Sequence, residues 1–392
     1  MAIDHGERRT GLAVCDASEM VVSPLMVLAG ADNCVSKIAN AAKEYGVEAV
    51  VIGLPYNMDG TEGPRAAQVR RFGEELKKYL ALPIVFFDER LSSFAAAEKL
   101  AAMELTRKGR KKRLDAVAAA AILEGFLEAR KAAISSFSGR LLRAADAESL
   151  ARLALAEFLS QARQSLERSG RFTAALCGGR TPRRFFEMLG DCAEAREIDW
   201  GRVHLFWTDE RAVGPADAAS NYRLAEETFL KKLPIPAEQV HRMEGEAADL
   251  EAAAERYEKT LRKVFSVDEG QIPSLDLIVL GVGQDGHIAS LFPGSDALGE
   301  KRLLVRVVRG PDGLNRLTLT VPVIQAADEI LVLVSGAEKA PILCTLLTHS
   351  PEGSGYPAHQ LWPVLHRTVW VVDSAAASLL GEFSKEAEAG GL

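Results

Sequence analysis

Short apolar runs alternate with amphipathic helical patterns along almost the whole chain, and this alternation restricts the fold more than any other feature. Apolar runs that end in polar or glycine residues predict strands, and the longer amphipathic stretches between them predict helices. The predicted strands are, in order, GLAVCD, EAVVIGLP, PIVFFDER, FTAALCGG, RVHLFWTDER, LDLIVLGVG, RLTLTV, EILVLVSG and RTVWVVD. Strands separated by helices favour the α/β class, with doubly wound, mainly parallel sheets covered on both faces.

The length of the chain predicts two domains. A chain of 392 residues exceeds what one ordinary hydrophobic core organises. The segment SSFSGR near residue 135 is the only Ser/Gly punctuation in its region, and a long amphipathic helix follows it. We therefore expect domains at residues 1–134 and 137–392.

Composition narrows the class of protein. Hydrophobic residues make up 48% and charged residues 26%, which is typical of globular proteins, and no apolar run approaches the roughly 20 residues of a membrane helix. The charged N-terminal residues do not resemble a signal or transit peptide. Five scattered cysteines without a CxxC pair favour reduced thiols in the cytoplasm over a disulfide framework or a zinc site. The net charge of −7 argues against a strongly basic nucleic-acid binder overall.

Polar residues follow three of the later predicted strands, where ligands of parallel sheets bind. The first junction is Cys177-Gly178-Gly179-Arg180-Thr181-Pro182, in front of a predicted helix. Two glycines let the backbone turn closely around an anion, and a helix N-terminus is a ready phosphate site. An ordinary strand-to-helix turn is the alternative.

The second junction is WTDER, with Asp209 and Arg211, followed by Asn221 in SNY. Arg211 has the geometry to clamp a phosphate or carboxylate, although Asp-Glu-Arg at a strand end also suits a local ion pair. The third junction is GVGQDGHIASLFPG, with Asp285 and His287. It satisfies GxGxxG, but the Pro-Gly that follows and the absence of a later acidic strand end argue against a dinucleotide site. An imidazole beside an aspartate suits proton transfer at neutral pH.

The motifs CGGRTP, WTDERAV, SNY, LGVGQDGHIASLFPGS and SGAEKA, in this order, resemble the 6-phosphogluconolactonase family. This family belongs to the glucosamine-6-phosphate isomerase/deaminase superfamily, whose fold is Rossmann-type. The resemblance implies hydrolysis of 6-phosphogluconolactone to 6-phosphogluconate, in the oxidative pentose phosphate pathway, without a cofactor. An isomerase or deaminase acting on an amino-sugar phosphate is the alternative, but the glutamate that deaminases use for ring opening has no counterpart after His287.

The resemblance also implies roles for individual residues. His287 is the expected general base, Asp285 its orienting partner, Asp209 a further catalytic candidate, and backbone N–H groups near Gly283 the expected stabilisers of the oxyanion. The expected substrate-binding residues are Gly178, Gly179, Arg180, Thr181, Arg211, Asn221, Arg316 and Lys339. Arg180 stands where the family commonly has serine, so it either adds charge to the phosphate or turns outward to solvent.

Carboxylates are the main chemical signal in residues 1–134. Asp4 ends a first short strand, Asp88 and Glu89 end PIVFFDER, and Asp115 starts the predicted helix DAVAAAAIL. Acids that converge from two strand ends and a helix start suit Mg²⁺ or Mn²⁺, as in phosphodiester cleavage. A helix cap at Asp115 and an ion pair between Asp88 and Arg90 are the alternatives.

The pieces IDHGERRTGLAV, VIGLPYNMDGTEGPRA, FFDERLSS and RLDAVAAAAIL resemble the YqgF-type, Holliday junction resolvase-like family, which has a ribonuclease H-like fold. This resemblance implies a nuclease of ribosomal RNA precursors or branched DNA, with Asp4, Asp115 and one of Asp88 and Glu89 as metal ligands. The run RKGRKKR at 107–113 would contact phosphates, or it is a solvated loop. A folded but inactive domain is the alternative, because only three residues precede Asp4 and His5 stands at a usually apolar or aromatic position.

Overall fold

The computed structural model describes residues 1–30, 33–57, 61–91, 107–349, 351 and 355–381. The chain divides into two compact units, of which the first is Met1–Phe137 with Ala340–Gly353 and the second is Ser138–Lys339 with Ser354–Leu392. Among the described helices, none is long and apolar enough to cross a membrane.

The first unit is built on a mixed five-stranded sheet of order β3-β2-β1-β4-β5. Strands β1, β2 and β3 pair antiparallel in sequence, and β1, β4 and β5 pair in parallel. The strands are β1 Ala2–His5, β2 Arg9–Cys15, β3 Val22–Ala29, β4 Val50–Leu54 and β5 Ile84–Asp88. The helices are α1 Cys34–Glu44, α2 Pro64–Lys77 and α3 Arg107–Ser136, together with α10 Ala340–Thr348 from late in the chain.

Helix α3 lies close against the sheet because the side chains on the two facing surfaces are small. The alanines Ala119 and Ala120 pack on Ala13 of β2. A Cβ atom on Gly11 would stand 1.9 Å from the carbonyl oxygen of Asp115, so only glycine admits the helix at this point. Asp4 is the strand partner of Gly11, and this approach therefore sets the start of the alanine-rich segment beside β1.

One prediction for this unit is corrected, and one strand was not predicted. Helix α3 begins at Arg107, so Asp115 lies inside the helix and not at its start; lysine and arginine are good helix formers, and RKGRKKR continues the helical pattern backwards. Strand β3 was not predicted, because Pro24 interrupts it; proline is tolerated there since β3 is an edge strand.

Helix α10 groups with the first unit, although the sequence places residues 340–353 within the predicted second domain. Its residues from Ile342 to Leu347 are all buried, and it packs against α3 and β5. A helix that is apolar on nearly every side must be covered on every side. The junction at Phe137 and Ser138 lies close to the predicted boundary.

The second unit is built on a fully parallel six-stranded sheet of order β6-β14-β13-β10-β7-β8. Its strands are β6 Arg140–Ala144, β7 Phe172–Leu176, β8 Val203–Trp207, β10 Leu277–Gly281, β13 Glu329–Val334 and β14 Thr368–Asp373. Its helices are α4 Ala147–Ser169, α5 Arg180–Asp191, α6 Ala193–Arg196, α7 Asn221–Ala225, α8 Leu250–Phe265 and α9 Val321–Ala326. This confirms the α/β class with a doubly wound parallel sheet.

A separate three-stranded antiparallel sheet carries part of the polar sequence. Its order is β11-β12-β9, with β9 Asp209–Arg211, β11 Val305–Arg309 and β12 Asn315–Leu319. RVHLFWTDER is therefore not one strand. The chain leaves the parallel sheet after Trp207, and Asp209 begins the second sheet. The backbone N–H of Trp207 donates to the hydroxyl of Tyr257 at 2.8 Å.

Candidate active site

One cavity of about 370 Å³ in the second unit is lined by residues of all three predicted junctions. It lies at the carboxyl ends of β7 and β10 and beside β9. The predicted residues that line it are Gly178, Gly179, Arg180, Thr181, Asp209, Arg211, Asn221, His287, Arg316 and Lys339. The structure thus brings the imidazole and the two-glycine turn to one cleft.

The two-glycine turn leaves no room for side chains at its first glycine. A Cβ atom on Gly178 would stand 1.7 Å from the Oδ1 atom of Asn221, and Gly179 has φ +99°, in the region that favours glycine. Helix α5 begins at the next residue, Arg180. Its first N–H groups have no partners within the helix, so this end of the cavity favours an anion.

Arg180 turns outward. Its side chain is 90% exposed, and its Nη2 atom donates to Oε1 of Glu338 at 3.2 Å. The extra charge that the sequence introduces here is therefore partly neutralised by Glu338, and the backbone of the turn remains the main feature that faces an anion.

His287 is held by Asp285 and by its own loop. The Nδ1 atom of the ring lies 2.5 Å from Oδ1 of Asp285. Partial burial opposes ionisation of Asp285, but the hydrogen bond from His287 holds the pKa of this carboxyl below its ordinary value. An ionised carboxylate only accepts, so Nδ1 carries the proton and Nε2 is left as the acceptor.

The amides of this loop are used within the loop. Gly283 N–H donates to the carbonyl of His287 at 2.8 Å, and Gly286 N–H donates to that of Gly283. Gly283's own amide therefore already has a partner, and the expectation that backbone N–H groups near Gly283 stabilise an oxyanion stays a prediction. A Cβ atom on Gly283 would stand 2.1 Å from Nδ1 of His287, so this glycine makes room for the ring.

Asp209 and Glu210 are adjacent, buried and differently used. Asp209 lines the cavity, and Ser290 donates to its Oδ2 atom at 2.6 Å. Glu210 accepts the N–H groups of Asn221 and Tyr222 at 2.8 Å each and the hydroxyl of Ser220 at 2.9 Å. Burial raises the pKa of Glu210, and these hydrogen bonds oppose the rise. Glu210 thus fixes the start of α7, which carries Asn221.

Two arginines face each other across the antiparallel sheet at the cavity. Arg211 and Arg316 are directly paired residues of β9 and β12, and both have a buried Nε atom without a hydrogen-bond partner. The Nη1 atom of Arg211 donates to the carbonyl of Ala219 at 2.6 Å, and Nη2 of Arg316 donates to Asp312 at 2.5 Å. Like charges directly opposite each other are unfavourable. The cavity is thus prepared for an anion that separates them.

Lys339 and Cys177 complete the chemistry of the cavity wall. Burial lowers the pKa of Lys339, while the negative charges of Glu338 and Asp285 oppose this change, so its ammonium group feels the charge of the aspartate beside the imidazole. Burial, with the charge of Asp209, raises the pKa of Cys177 to about 12. A thiol with this pKa stays protonated at neutral pH and is a poor nucleophile.

In the first unit, three carboxylates converge on β1. Burial, and then the charges of Glu89 and Asp115, raise the pKa of Asp4 to about 6, and Arg65 opposes the rise. Burial also raises the pKa of Glu89. Oδ2 of Asp115 lies 3.1 Å from Nε of Arg9, in an ion pair. The negative charges of Glu89 and Asp115 thus act on Asp4, with Arg65 as the opposing positive charge.

Asp88 is engaged elsewhere. It accepts from Nη2 of Arg90 at 2.6 Å and from the backbone N–H of Arg90 at 3.0 Å. Of the adjacent pair, Glu89 is therefore the residue that belongs with Asp4. Within the described residues, no group of three or more His, Cys, Asp or Glu side chains is arranged as a ready metal site.

Comparison with known proteins gives the family of each part. Residues 145–370 match the model of glucosamine-6-phosphate isomerases/6-phosphogluconolactonase, which covers more than half of the chain. The chain belongs to this family. Residues 1–129 match the model of Holliday junction resolvase. The predicted fusion of a lactonase-family domain with a resolvase-like domain is confirmed.

Curated relatives and solved structures agree with this result. The 6-phosphogluconolactonase of Nostoc sp. is 36% identical over 216 residues, covering 55% of this chain and 88% of the relative. That of Synechocystis sp. is 37% identical over 217 residues, with the same coverage. The structure of 6-phosphogluconolactonase from Trypanosoma cruzi matches with a TM-score of 0.56 at 25% identity, covering 62% of this chain and 97% of that one.

Sequence reasoning missed several residues of this isomerase/lactonase-family site and of the resolvase-like unit. Glu210 and Ser290 were overlooked, although both stand inside the motifs that were singled out. Arg65 was overlooked because it lies in a helix, away from the strand ends. His5, by contrast, has a physical explanation, since its ring stacks on Phe72 at 3.8 Å and takes the aromatic role expected there. The side chains of residues 107–113 lie outside the described part of the structure, so their phosphate contacts stay a prediction.

Proposed function

We propose that residues 138–392 hydrolyse 6-phosphogluconolactone to 6-phosphogluconate without a metal ion. The observation that carries this proposal is the shared cavity, in which His287 and the turn at Gly178 and Gly179 stand together. A sugar-phosphate lactone needs both features, an anion site for its phosphate and a base for the attacking water.

The reaction follows from the free ring nitrogen. Nε2 of His287 takes a proton from water as the water oxygen attacks the lactone carbonyl, and a tetrahedral oxyanion forms. The bond between this carbon and the ring oxygen then breaks, and the imidazolium returns the proton to the departing oxygen. Asp285 keeps Nδ1 protonated throughout and stabilises the transient imidazolium, because its carboxylate accepts from that atom.

The phosphate is assigned to the start of α5, with Gly178, Gly179 and Thr181 around it. The unpartnered Nε atoms of Arg211 and Arg316 supply the further positive charge, and the phosphate relieves their repulsion. Lys339 adds a third cation at the wall. A charge-assisted hydrogen bond to a phosphate oxygen is stronger than one between neutral groups, so these side chains contribute to affinity as well as orientation.

The test is a coupled assay on freshly generated 6-phosphogluconolactone, corrected for spontaneous hydrolysis. We expect turnover well above the spontaneous rate and no conversion of glucosamine 6-phosphate. Hydrolysis at no more than the spontaneous rate would contradict the proposal. Release of ammonia from glucosamine 6-phosphate would favour the deaminase alternative instead.

We also propose that the first unit is a metal-dependent nuclease of ribosomal RNA precursors or branched DNA. Its support is the match to the resolvase model and the convergence of Asp4, Glu89 and Asp115. These carboxylates suit Mg²⁺ or Mn²⁺, because a divalent cation would neutralise the repulsion between them. When bound, such an ion supplies a water of lowered pKa and offsets the charge of the phosphodiester.

The chain itself must release Asp115 from Arg9 to accept this cation. The test is cleavage of structured RNA and of four-way DNA junctions with Mn²⁺ or Mg²⁺, comparing the wild type with Asp4→Ala. If the two proteins cleave equally poorly, the domain is a nucleic-acid-binding or structural unit and not a nuclease.

We further propose a cytoplasmic location. None of the five cysteines is in a disulfide, and three of them, Cys34, Cys177 and Cys344, are buried. Thiols that are not oxidised to disulfides are typical of a reducing compartment.

A further inference from the structure

Asp209 is a buried carboxylate at the cavity without a cationic partner. Asp209 is 5% exposed and lines the cavity. In the described part of the chain, no Lys, Arg or His nitrogen forms an ion pair with it, and its hydrogen-bond donors are all neutral. Burying a carboxylate is costly unless hydrogen bonds satisfy it, so these donors decide how the group is used.

The two oxygens of this carboxylate are held unequally. Oδ2 accepts a short hydrogen bond, 2.6 Å, from the hydroxyl of Ser290. Oδ1 accepts only long contacts, 3.2 Å from the Thr208 hydroxyl and 3.4 Å from Nδ2 of Asn221. Since a carboxylate has about four acceptor positions, Oδ1 keeps capacity for a further donor.

Ser290 is fixed from several directions. It is fully buried, and its N–H donates to Oγ1 of Thr318 at 3.2 Å. It follows Ala289, which holds the left-handed φ of +49°, and it lies inside the bridge between Ile288 and Leu291. A residue held in this way cannot reorient cheaply, and it stands three positions after His287 on the same loop.

We propose that Ser290 is a positioning residue, which orients Asp209 so that Oδ1 accepts a hydrogen bond from a ring hydroxyl of the lactone. The proposal rests on the lactonase function proposed above. It makes Asp209 a specificity residue for a polyhydroxylated ring, and it leaves proton transfer to His287. The loop that carries the base thereby also sets the recognition of the sugar.

The test combines two substitutions in the full-length protein with the three single-deoxy lactones, which lack the hydroxyl at C2, C3 or C4 of 6-phosphogluconolactone. For the wild type, we expect one of the three to lose about 10-fold or more in kcat/KM, as for a lost hydrogen bond to a charged group. In Ser290→Ala, KM for the parent lactone should rise about 10-fold, with kcat within about 3-fold and its pH profile unchanged. The same deoxy lactone should then be hydrolysed about as well as the parent.

Two further variants make the result decisive. Asp209→Asn should lose the same discrimination, and it serves if Ser290→Ala does not fold. Thr228→Val removes a buried hydroxyl that donates only to the carbonyls of Leu224 and Ala225 and does not line the cavity, so it should leave KM and the discrimination unchanged. Deoxy penalties that persist undiminished in Ser290→Ala and Asp209→Asn, or a shifted kcat pH profile with constant KM, would overturn the proposal. A wild type that is inactive on the parent lactone would overturn both this proposal and the proposed function.

Discussion

At the scale of single residues, the chemistry of the second unit depends on which ring nitrogen of one histidine is free. Asp285 engages Nδ1 of His287, so Nε2 is the basic atom, and the ring lines the same cavity as the anion site. Cys177 is excluded as a nucleophile by its raised pKa, and Lys339 sits against negative charge. The imidazole is therefore the group whose removal should be most damaging.

We expect His287→Ala to lower kcat by about 10²–10⁴, as for the loss of a general base, with little change in KM. Steady-state kinetics on freshly made lactone measure this effect. Asp285→Asn, which keeps the ring but weakens the acceptor of Nδ1, should cost less than the alanine variant. Turnover of His287→Ala near that of the wild type would show that the imidazole is not the base.

A second residue-scale prediction concerns the glycine that touches Asn221. In Gly178→Ala, the new Cβ must displace the Asn221 side chain, whose Nδ2 atom donates to the carbonyl of Asp209 at 2.8 Å. Since a displacement of about 1 Å can cost about 10²-fold, we expect kcat/KM to fall by about that factor. Gly299→Ala is the matched control, because a Cβ there meets nothing within 4 Å. Equal activity of the two variants would contradict the close approach.

At the scale of helices and strands, the first unit concentrates negative charge where β1, the end of β5 and α3 meet. Asp4 lies on β1, Glu89 follows β5, and Gly11 admits the α3 backbone at Asp115. Close packing of these elements brings the three carboxylates together, and Asp4 bears the electrostatic cost. Helices and strands that hold several carboxylates close together, at an energetic cost that a cation would offset, are typical of a functional site.

This cost predicts a pH-dependent gain of stability in Asp4→Asn. The pKa of Asp4 is about 6 in the fold and 3.8 as the ordinary value, so folding opposes its ionisation. The penalty is fully present above pH 6, falls as pH decreases towards 3.8, and is absent below that. In EDTA at pH 8, Asp4→Asn should therefore stabilise the first unit by about 1–3 kcal/mol, and at pH 4 by little.

Hydrogen exchange of the β1 and β4 amides measures this local stability. Asp16→Asn is the control, because Asp16 is exposed and its hydrogen bonds, first that from Ser18, lower its pKa, so its replacement gives no stabilisation. Adding Mn²⁺ should stabilise the wild type and not Asp4→Asn. A destabilised Asp4→Asn at pH 8 would contradict the cost of burying an ionised Asp4 beside Glu89 and Asp115.

Helices and strands were predicted best from the sequence where the local pattern of apolar residues matches the burial that each residue has in the fold. Five of the six strands of the parallel sheet are mostly buried and apolar, whereas β6 is largely exposed or half-buried. The motifs at the strand ends lie where such sheets bind ligands. The antiparallel sheet was not predicted, because a single tight corner at Thr208 divides RVHLFWTDER between two sheets. The choice of Glu89 over Asp88 depends on the pairing of Asp88 with Arg90, and the burial of Ser290 against Asp209 is a long-range contact. Neither follows from local spacing.

At the scale of the whole molecule, one chain carries two candidate sites with opposite demands. The second unit gathers Arg211, Arg316 and Lys339 at a cavity that suits an anionic substrate, and the first gathers carboxylates that suit a divalent cation. The net charge of −7 does not favour a polyanion in general, although six of the seven residues at 107–113 are basic. The two proposed activities should therefore respond independently to metal ions and to substitution.

Removal of divalent metal should separate the two activities. With EDTA in excess, we expect lactone hydrolysis to remain within about 2-fold of its untreated rate, because a positioned imidazole needs no metal to act as a base. Nucleic-acid cleavage should fall to background and return with Mn²⁺. His287→Ala should lower only the first activity and Asp4→Ala only the second, so each variant is the control for the other. Loss of lactonase activity in EDTA, restored by Mn²⁺, would contradict the general-base mechanism, and cleavage that persists in both EDTA and Asp4→Ala would point to a contaminating nuclease.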